Sequence, residues 1–284
     1  MTSRLLYLSI AFLTACGSSD DIPIVTPLSV DVEPVDNANV YEPSVAATWQ
    51  WQLLVNEGET LNTSYNVDIY DIDLFDNLST AIASLQEDGK KVICYFSAGS
   101  YENWRSDAAL FPNKAKGNEL DGWEGERWLD IRLEEVHEIM AARLALAADK
   151  GCDGVEPDNM DAYQNDSGFD LTASDQLAFN RFIANKARTL GLSVGLKNDL
   201  DQIEELVEYF DFAVNEQCFE YDECDALTPF IDAGKPVFNA EYQDEYVNNT
   251  GGARTTLCTD ANALQFSTLV LPLDLDDEFR HSCL

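Results

Sequence analysis

Residues 151–163 read Gly151-Cys152-Asp153-Gly154-Val155-Glu156-Pro157-Asp158-Asn159-Met160-Asp161-Ala162-Tyr163, GCDGVEPDNMDAY. A run of small and apolar residues leads directly into three carboxylates, Glu156, Asp158 and Asp161. A carboxylate beside a buried element must stay solvated or find a partner, because its charged form loses hydration there. Two readings follow. The segment is a solvated acidic loop, or it is the end of a buried strand delivering half of a two-carboxylate site. Its surroundings decide between them.

Seven further runs share its texture: WQWQLL (49–54), YNVDIYDI (65–72), KVICYFSAG (91–99), LSVGLK (192–197), FDFAVNEQ (210–217), KPVFNAEY (235–242) and ALQFSTLVLP (263–272). Helical patterns lie between them. STAIASLQEDGK (79–90) and VHEIMAARLALAADKG (136–151) both end on a glycine stop signal. SDQLAFNRFIANKARTLG (174–191) opens on a Ser/Asp cap signal. IEELVEY (203–209) and ALTPFIDAG (226–234) complete the series. Strands that alternate with helices pair in parallel, because parallel strands need crossovers. Eight such units in about 235 residues fit a closed (β/α)8 TIM barrel of the α/β class better than an open sheet. No glycine-rich phosphate loop follows the first strand, which weakens a nucleotide-binding open sheet.

In such a barrel the chemistry sits at the C-terminal strand ends. The second strand ends with Asp71 and Asp73, the third with Tyr95 and Ser97, and the fourth with Glu156 and Asp158. The fifth ends with Lys197, Asn198 and Asp199, the sixth with Asn215, Glu216 and Gln217, and the seventh with Glu241 and Tyr242. At least five strands thus direct a carboxylate to one face. The long connection 100–135 leaves that face carrying its own aromatics and charges. There are only two histidines, His137 and His281, far apart in sequence. A Ser-His-Asp triad or a multi-His metal centre has little material, and neither metal nor cofactor is expected. His137 reads as a surface residue of a charged helix.

Glycoside hydrolysis needs the material that is abundant: one carboxyl as proton donor and another as nucleophile or base. Trp104, Trp123, Trp128, Tyr95, Tyr101 and Tyr242 lie in or beside the strand ends, where aromatic faces can stack on sugar rings. Trp49 and Trp51 read individually as core.

The formal net charge is −35, from 17 basic and 52 acidic residues. Such a surface repels nucleic acid and anionic membranes and favours cationic partners, although solubility or salt adaptation would produce it too. The N-terminus, MTSRLLYLSIAFLTACGSSDD, has a basic residue, a short apolar run and Leu13-Thr14-Ala15-Cys16. That is the pattern of an export signal (residues 1–15) with Cys16 resembling a bacterial lipidation site. Residues 16–46 hold no helical period and read as a flexible tether to a single domain at 47–284. The expected product is exported, lipid-anchored, in contact with membrane through that anchor only, and monomeric. Six further cysteines then face an oxidising compartment. Cys218 and Cys224 would staple a short loop, and Cys258 and Cys283 would tie down the tail. Cys94 and Cys152 lie in apolar, strand-like runs and read as free buried thiols. A zinc site is the alternative use, but no pair has C-x-x-C spacing.

WQWQL, YDIDLFD, VICYFSAGSYENWR, GWEGERWLDIR, GCDGVEPDNMDAY, GLSVGLKND, FAVNEQC and VFNAEY occur in this order. Together they resemble glycoside hydrolase family 114, the endo-α-1,4-polygalactosaminidase family, from Trp49 to about Asp244. The resemblance implies a TIM barrel that cuts α-1,4-linked galactosamine polymers internally, a cationic amino-sugar polysaccharide. It implies Asp158 of VEPDN as nucleophile and Glu216 of NEQC as general acid/base. Asp71, Asp73, Tyr95, Glu156, Asp161, Lys197, Asp199, Glu241 and Tyr242 are then candidate substrate contacts, with Glu156, Asp161 and Glu241 also runners-up for either catalytic role. Two other functions stay open: a lipoprotein that binds such a polymer without cutting it, and a hydrolase of a different glycan.

Overall fold

The computed structural model describes residues 27–284; the expected signal segment and Cys16 lie outside the described residues. Strands β1 (Trp49–Gln52), β2 (Ile69–Asp73), β3 (Lys91–Ser97), β4 (Gly154–Asp158), β5 (Ser193–Lys197), β6 (Phe212–Glu216), β7 (Val237–Glu241) and β8 (Ser267–Val270) follow one another around a single sheet. Each pairs with the next in parallel. All eight match the runs read from the sequence, β2 and β4 each reaching one residue beyond the expected ends at 72 and 157. No backbone ladder joins β8 to β1 among the described residues. That seam closes through the Trp49 indole N–H to Ser267 O (2.8 Å), the Ser267 hydroxyl to Ala47 O (2.8 Å) and Arg280 to Trp49 O (2.7 Å). Trp49 and Phe238 rings meet across the interior at 5.1 Å, as a closed barrel requires.

Alternation along each strand divides the core in two. Trp49, Trp51, Ile69, Ile93, Phe212, Val214, Phe238 and Leu269 fill the barrel. Tyr70, Ile72, Val92, Phe96, Val155, Val194, Leu196 and Val237 pack outward under the helices. Gly195 makes room inside, since a Cβ there would lie 2.3 Å from the Phe212 ring. The main crossover helices are α1 (Ser79–Glu87), α2 (Glu134–Lys150) and α3 (Ala173–Thr189). α2 stops at Gly151, whose φ of 86° only glycine adopts cheaply. α3 begins in a capping box between Thr172 and Asp175, two residues before the Ser/Asp signal. The helix Ala253–Ala263 escapes the sequence pattern because its buried stripe is only Leu257 and Ala261.

Four expectations are corrected. Cys94 and Cys152 are not free thiols but a disulfide, with Cα atoms 6.1 Å apart; the two apolar runs that hold them are neighbours. Cys218–Cys224 and Cys258–Cys283 are also bonded. His137 is buried between α2 and α3 against Phe179 and Phe182, its Nε2 2.7 Å from Ile131 O. Residues 28–37, expected as tether, pack along α3. Asn185, Arg188, Arg181 and Tyr209 donate to the carbonyls of Glu33, Val35, Val30 and Val32. Those bonds reach the backbone of the strap, so its residue pattern carries no trace of them. Finally, the 100–135 connection is not only loop. It forms an antiparallel sheet of Ser100–Glu102, Glu126–Leu129 and Lys116–Glu119 over the C-terminal end of the barrel.

Candidate active site

Period-two alternation sends Glu156 and Asp158 of β4 into the barrel, one layer apart, while Val155 points to the helices. Lys197 ends β5, and Glu216 ends β6, so the two expected catalytic carboxylates stand on strands flanking the lysine. Lys197 Nζ lies 3.0 Å from Asp158 Oδ1, 3.0 Å from Glu216 Oε2 and 3.2 Å from Glu156 Oε1. Those Asp158 and Glu216 oxygens are therefore at most about 6 Å apart. The Tyr95 hydroxyl donates to Asp158 Oδ2 (3.0 Å), and the Asn159 N–H to Asp158 Oδ1 (2.7 Å). The Tyr242 hydroxyl donates to Glu216 Oε1. Trp51, stacked below, donates its indole N–H to Glu156 Oε2 (3.1 Å).

Burial and neighbouring charge set the protonation states. Burial pushes Glu156 up to about 7, Lys197 pulls the other way, and Asp158 adds to the rise. Asp71 lies beneath and is held well above the usual carboxylate range, first by burial and then by Glu156. Burial works against the charge of Lys197, but Asp158, Glu216 and Glu156 outweigh it and hold its pKa well above the ordinary value. Tyr95 and Tyr242 are raised by burial and by the carboxylates they face, so they remain donors. Asp161 rises to about 6 through burial and Asp158; Asp199 rises to about 9 through burial and Asp161.

Over this cluster opens a cleft of about 1250 Å³. Fourteen of its lining residues are acidic and three are basic. Of the three, Arg105 is paired with Asp73 and Glu102, Lys197 is held as above, and Arg127 donates to Gly117 O. The cleft thus presents excess negative charge. Leu54, Trp104, Trp123, Tyr221 and Leu273, among the most exposed large apolar side chains, line it as well.

The sequence profile of glycoside-hydrolase family GH114 matches residues 32–284. The chain belongs to that family. Its barrel superimposes on Ega3 of Aspergillus fumigatus, solved in complex with galactosamine, with a TM-score of 0.82 and 43% identity, over 89% of this chain and 100% of that one. The glycoside hydrolase domain of PelA from Pseudomonas aeruginosa shares the fold at a TM-score of 0.63 and 14% identity, over 81% of this chain and 96% of that one. No curated protein gives a significant match. The protein is a glycoside hydrolase with a TIM-barrel fold.

Within this GH114 barrel the expected site residues separate. Asp158, Glu216, Glu156, Lys197, Tyr95, Tyr242 and Asp71 come together. Asp161 and Asp199 line the cleft beside them. Asp199 is 2% exposed and accepts from Asn180 Nδ2 at 2.8 Å. Asp73 lines the edge, but Arg105 engages it at 2.7 Å, and it caps the N–H groups of Phe75 and Asp76. Glu241 does not join them. It faces away from the barrel interior, where its Oε1 accepts from Phe219 N–H (2.9 Å) and Asn239 (3.2 Å), a structural clamp on the 217–220 turn. A shift of one residue along β7 decides this: Tyr242 is inside and Glu241 outside.

Three participants were not read as such. Trp51 was assigned to the core, and it is core, but its indole N–H serves Glu156. Asn198 accepts the Glu216 N–H (3.0 Å) and Asn215 Nδ2 (3.2 Å) from a left-handed backbone, φ 47°. The Lys-Asn-Asp triplet at a strand end is the only sequence signal for it. Glu126, from the accessory sheet, is linked through Ser100 (2.8 Å) and Ser97 (2.6 Å) to Asn159 (2.9 Å). Nothing in the local sequence marks that chain.

Proposed function

We propose that the protein is an endo-acting hydrolase of α-1,4-linked galactosamine polymers, with Asp158 as nucleophile and Glu216 as general acid/base. The observation that carries the mechanism is the lysine bridge. Carboxyl groups about 5–5.5 Å apart serve retaining glycosidases, and about 6.5–9.5 Å inverting ones. The bound of about 6 Å set by Lys197 on the facing oxygens favours the retaining class. Asp158 Oδ1 accepts from both Lys197 and the Asn159 N–H, whereas Oδ2 carries only the Tyr95 hydroxyl. Oδ2 is the oxygen free to attack. Tyr242 and the Asn198 clamp on the Glu216 N–H orient the acid/base.

The substrate assignment rests on three supports: the family, the galactosamine bound by Ega3, and the acid-rich cleft. Deacetylated galactosamine is cationic at mildly acidic to neutral pH, and an anionic low-dielectric cleft concentrates such a chain. Exposed Trp104, Trp123 and Tyr221 line the same cleft and offer stacking faces for sugar rings. Three disulfides fit an exported protein, and Cys16 is the proposed lipid attachment point.

The test is incubation with partially deacetylated galactosamine polymer, with oligosaccharides read by mass and the anomer of the first product by NMR. The expected product is α. Asp158→Asn and Glu216→Gln should each lose about 10²–10⁴-fold in rate. Undiminished release by either variant rejects the site, and a β first product rejects the retaining mechanism.

A further inference from the structure

An ammonium group has three N–H bonds. The Lys197 ammonium has three carboxylates around it, Glu156, Asp158 and Glu216, at 3.2, 3.0 and 3.0 Å, and donates a hydrogen bond to Asp158 Oδ1. Its side chain is 2% exposed, and Nζ sits 5.0 Å above the Trp51 ring. Burial within this ring of carboxylates sets Lys197 apart from the other candidate substrate contacts.

We propose that Lys197 is a third catalytic group, an ammonium shared by nucleophile and acid/base so that it faces constant charge through both half-reactions, with Glu156 as the positioning residue that fixes it. The proposal rests on the roles given above to Asp158 and Glu216.

A retaining mechanism starts from an Asp158 carboxylate and a protonated Glu216, so one negative charge from the pair faces Lys197. In the first half-reaction Asp158 Oδ2 bonds to the anomeric carbon, the glycosidic C–O bond breaks, and the departing oxygen takes the Glu216 proton. Asp158 is now a neutral ester and Glu216 a carboxylate. In the second, a water oxygen bonds to the anomeric carbon and gives a proton to Glu216. The ester C–O bond breaks, and its electron pair returns to Asp158. The charge has moved from one neighbour of Lys197 to the other and back. At 3.0 Å from both, the ammonium follows it without moving. Asp158 Oδ1 remains an acceptor throughout, first as carboxylate and then as ester carbonyl. A preorganised donor of this kind adds no reorganisation at the moment of reaction.

What holds the ammonium still lies below it. Glu156 is completely buried on the inner side of β4 and takes the Trp51 indole N–H on its second oxygen. Glu156 is thus fixed by β1 while it faces Lys197 of β5 at 3.2 Å. The remaining charged or titratable groups around Lys197 are Asp71 of β2, Asp161, from the turn after β4, and the hydroxyls of Tyr95 and Tyr242, which donate to Asp158 and Glu216.

The experiment uses Lys197→Met and Glu156→Gln, assayed on whatever polymer the wild type cleaves. Failure of the galactosamine assignment therefore leaves this test standing. Lys197→Met should lower kcat about 10²–10³-fold, with KM within about twofold. Both limbs of its kcat/KM profile should move to higher pH, because an ammonium favours the ionised form of each carboxyl. Glu156→Gln removes a negative charge only where Glu156 is ionised, above about pH 7, so its basic limb should move to lower pH, with a smaller fall in kcat. A purely structural role would not shift the basic limb in opposite directions in the two variants. A Lys197→Met enzyme with raised KM and unchanged kcat overturns the proposal by returning the lysine to sugar binding. If circular dichroism shows Lys197→Met unfolded, Glu156→Gln decides alone: an unmoved basic limb overturns the proposal.

Discussion

Cys94 on β3 and Cys152 just before β4 are joined over a sequence separation of 58, a loop that contains the accessory sheet and α2. Replacing both by alanine releases it. In the chain-entropy account, closing a loop of that length removes about 14 cal/mol/K from the unfolded chain, or about 4 kcal/mol at 25 °C. The same arithmetic gives about 3.5 kcal/mol for Cys258–Cys283, separation 25, and about 2 kcal/mol for Cys218–Cys224, separation 6. A domain of this size shifts by about 2 °C per kcal/mol, so the first double variant should melt about 8 °C lower. Equilibrium unfolding in guanidinium and scanning calorimetry on the three double-alanine variants measure the series. A loss under about 1 kcal/mol for the Cys94–Cys152 pair, or a larger loss for the six-residue loop, would refute the loop-entropy reasoning.

The buried acids predict stability that falls with rising pH. Glu156, Glu126 and Glu241 are each pushed up to about 7, and Asp199 to about 9, mainly by burial. A carboxyl whose folded pKa is raised binds its proton more tightly when folded. Its contribution is therefore complete below about pH 4.5 and is lost as pH climbs through the folded value. The calorimetric midpoint should be higher at about pH 5 than at about pH 8, even in high salt, which screens the surface charge but not the buried groups. A midpoint that rises over this interval contradicts the burial argument. Tyr242→Phe removes the hydroxyl that Glu216 accepts, so kcat should fall about tenfold with little change in melting, as loss of a bond to a charged group predicts. An unchanged pH–rate profile would leave Tyr242 out of the mechanism. Gly99→Ala places a Cβ 1.8 Å from the carbonyl oxygen of Asn159, backbone that cannot swing aside. It should displace the turn that carries Asp158 and lower kcat about a hundredfold at constant expression. A kcat equal to wild type would show that turn to be tolerant.

The architecture was legible because its signal is local and repeated. Eight apolar runs separated by helical patterns leave few arrangements other than a parallel barrel, and the C-terminal ends of those runs are the site by topology alone. Residues on the correct parity of a strand, such as Glu156, Asp158, Lys197 and Glu216, could therefore be named. Glu241 shows the limit: its strand was read correctly, but whether Glu241 or Tyr242 faces inward depends on sheet register, which a buried strand with apolar residues on both faces does not encode. His137 failed for a related reason, since a charged helix does not announce which stripe meets its neighbour.

The sequence by itself determined the strand order, the acid-rich composition and the family. Tertiary structure alone decided the partners. It joined Cys94 to Cys152, laid residues 28–37 along α3, neutralised Asp73 with Arg105 and directed three carboxylates at one lysine. The reason is one of range. Helix and strand periodicity are written within about ten residues of chain. A buried charge is stabilised by whatever the fold brings within about 3 Å. Lys197 and its acceptors lie on three strands separated by whole crossover helices, and no local pattern spans that distance.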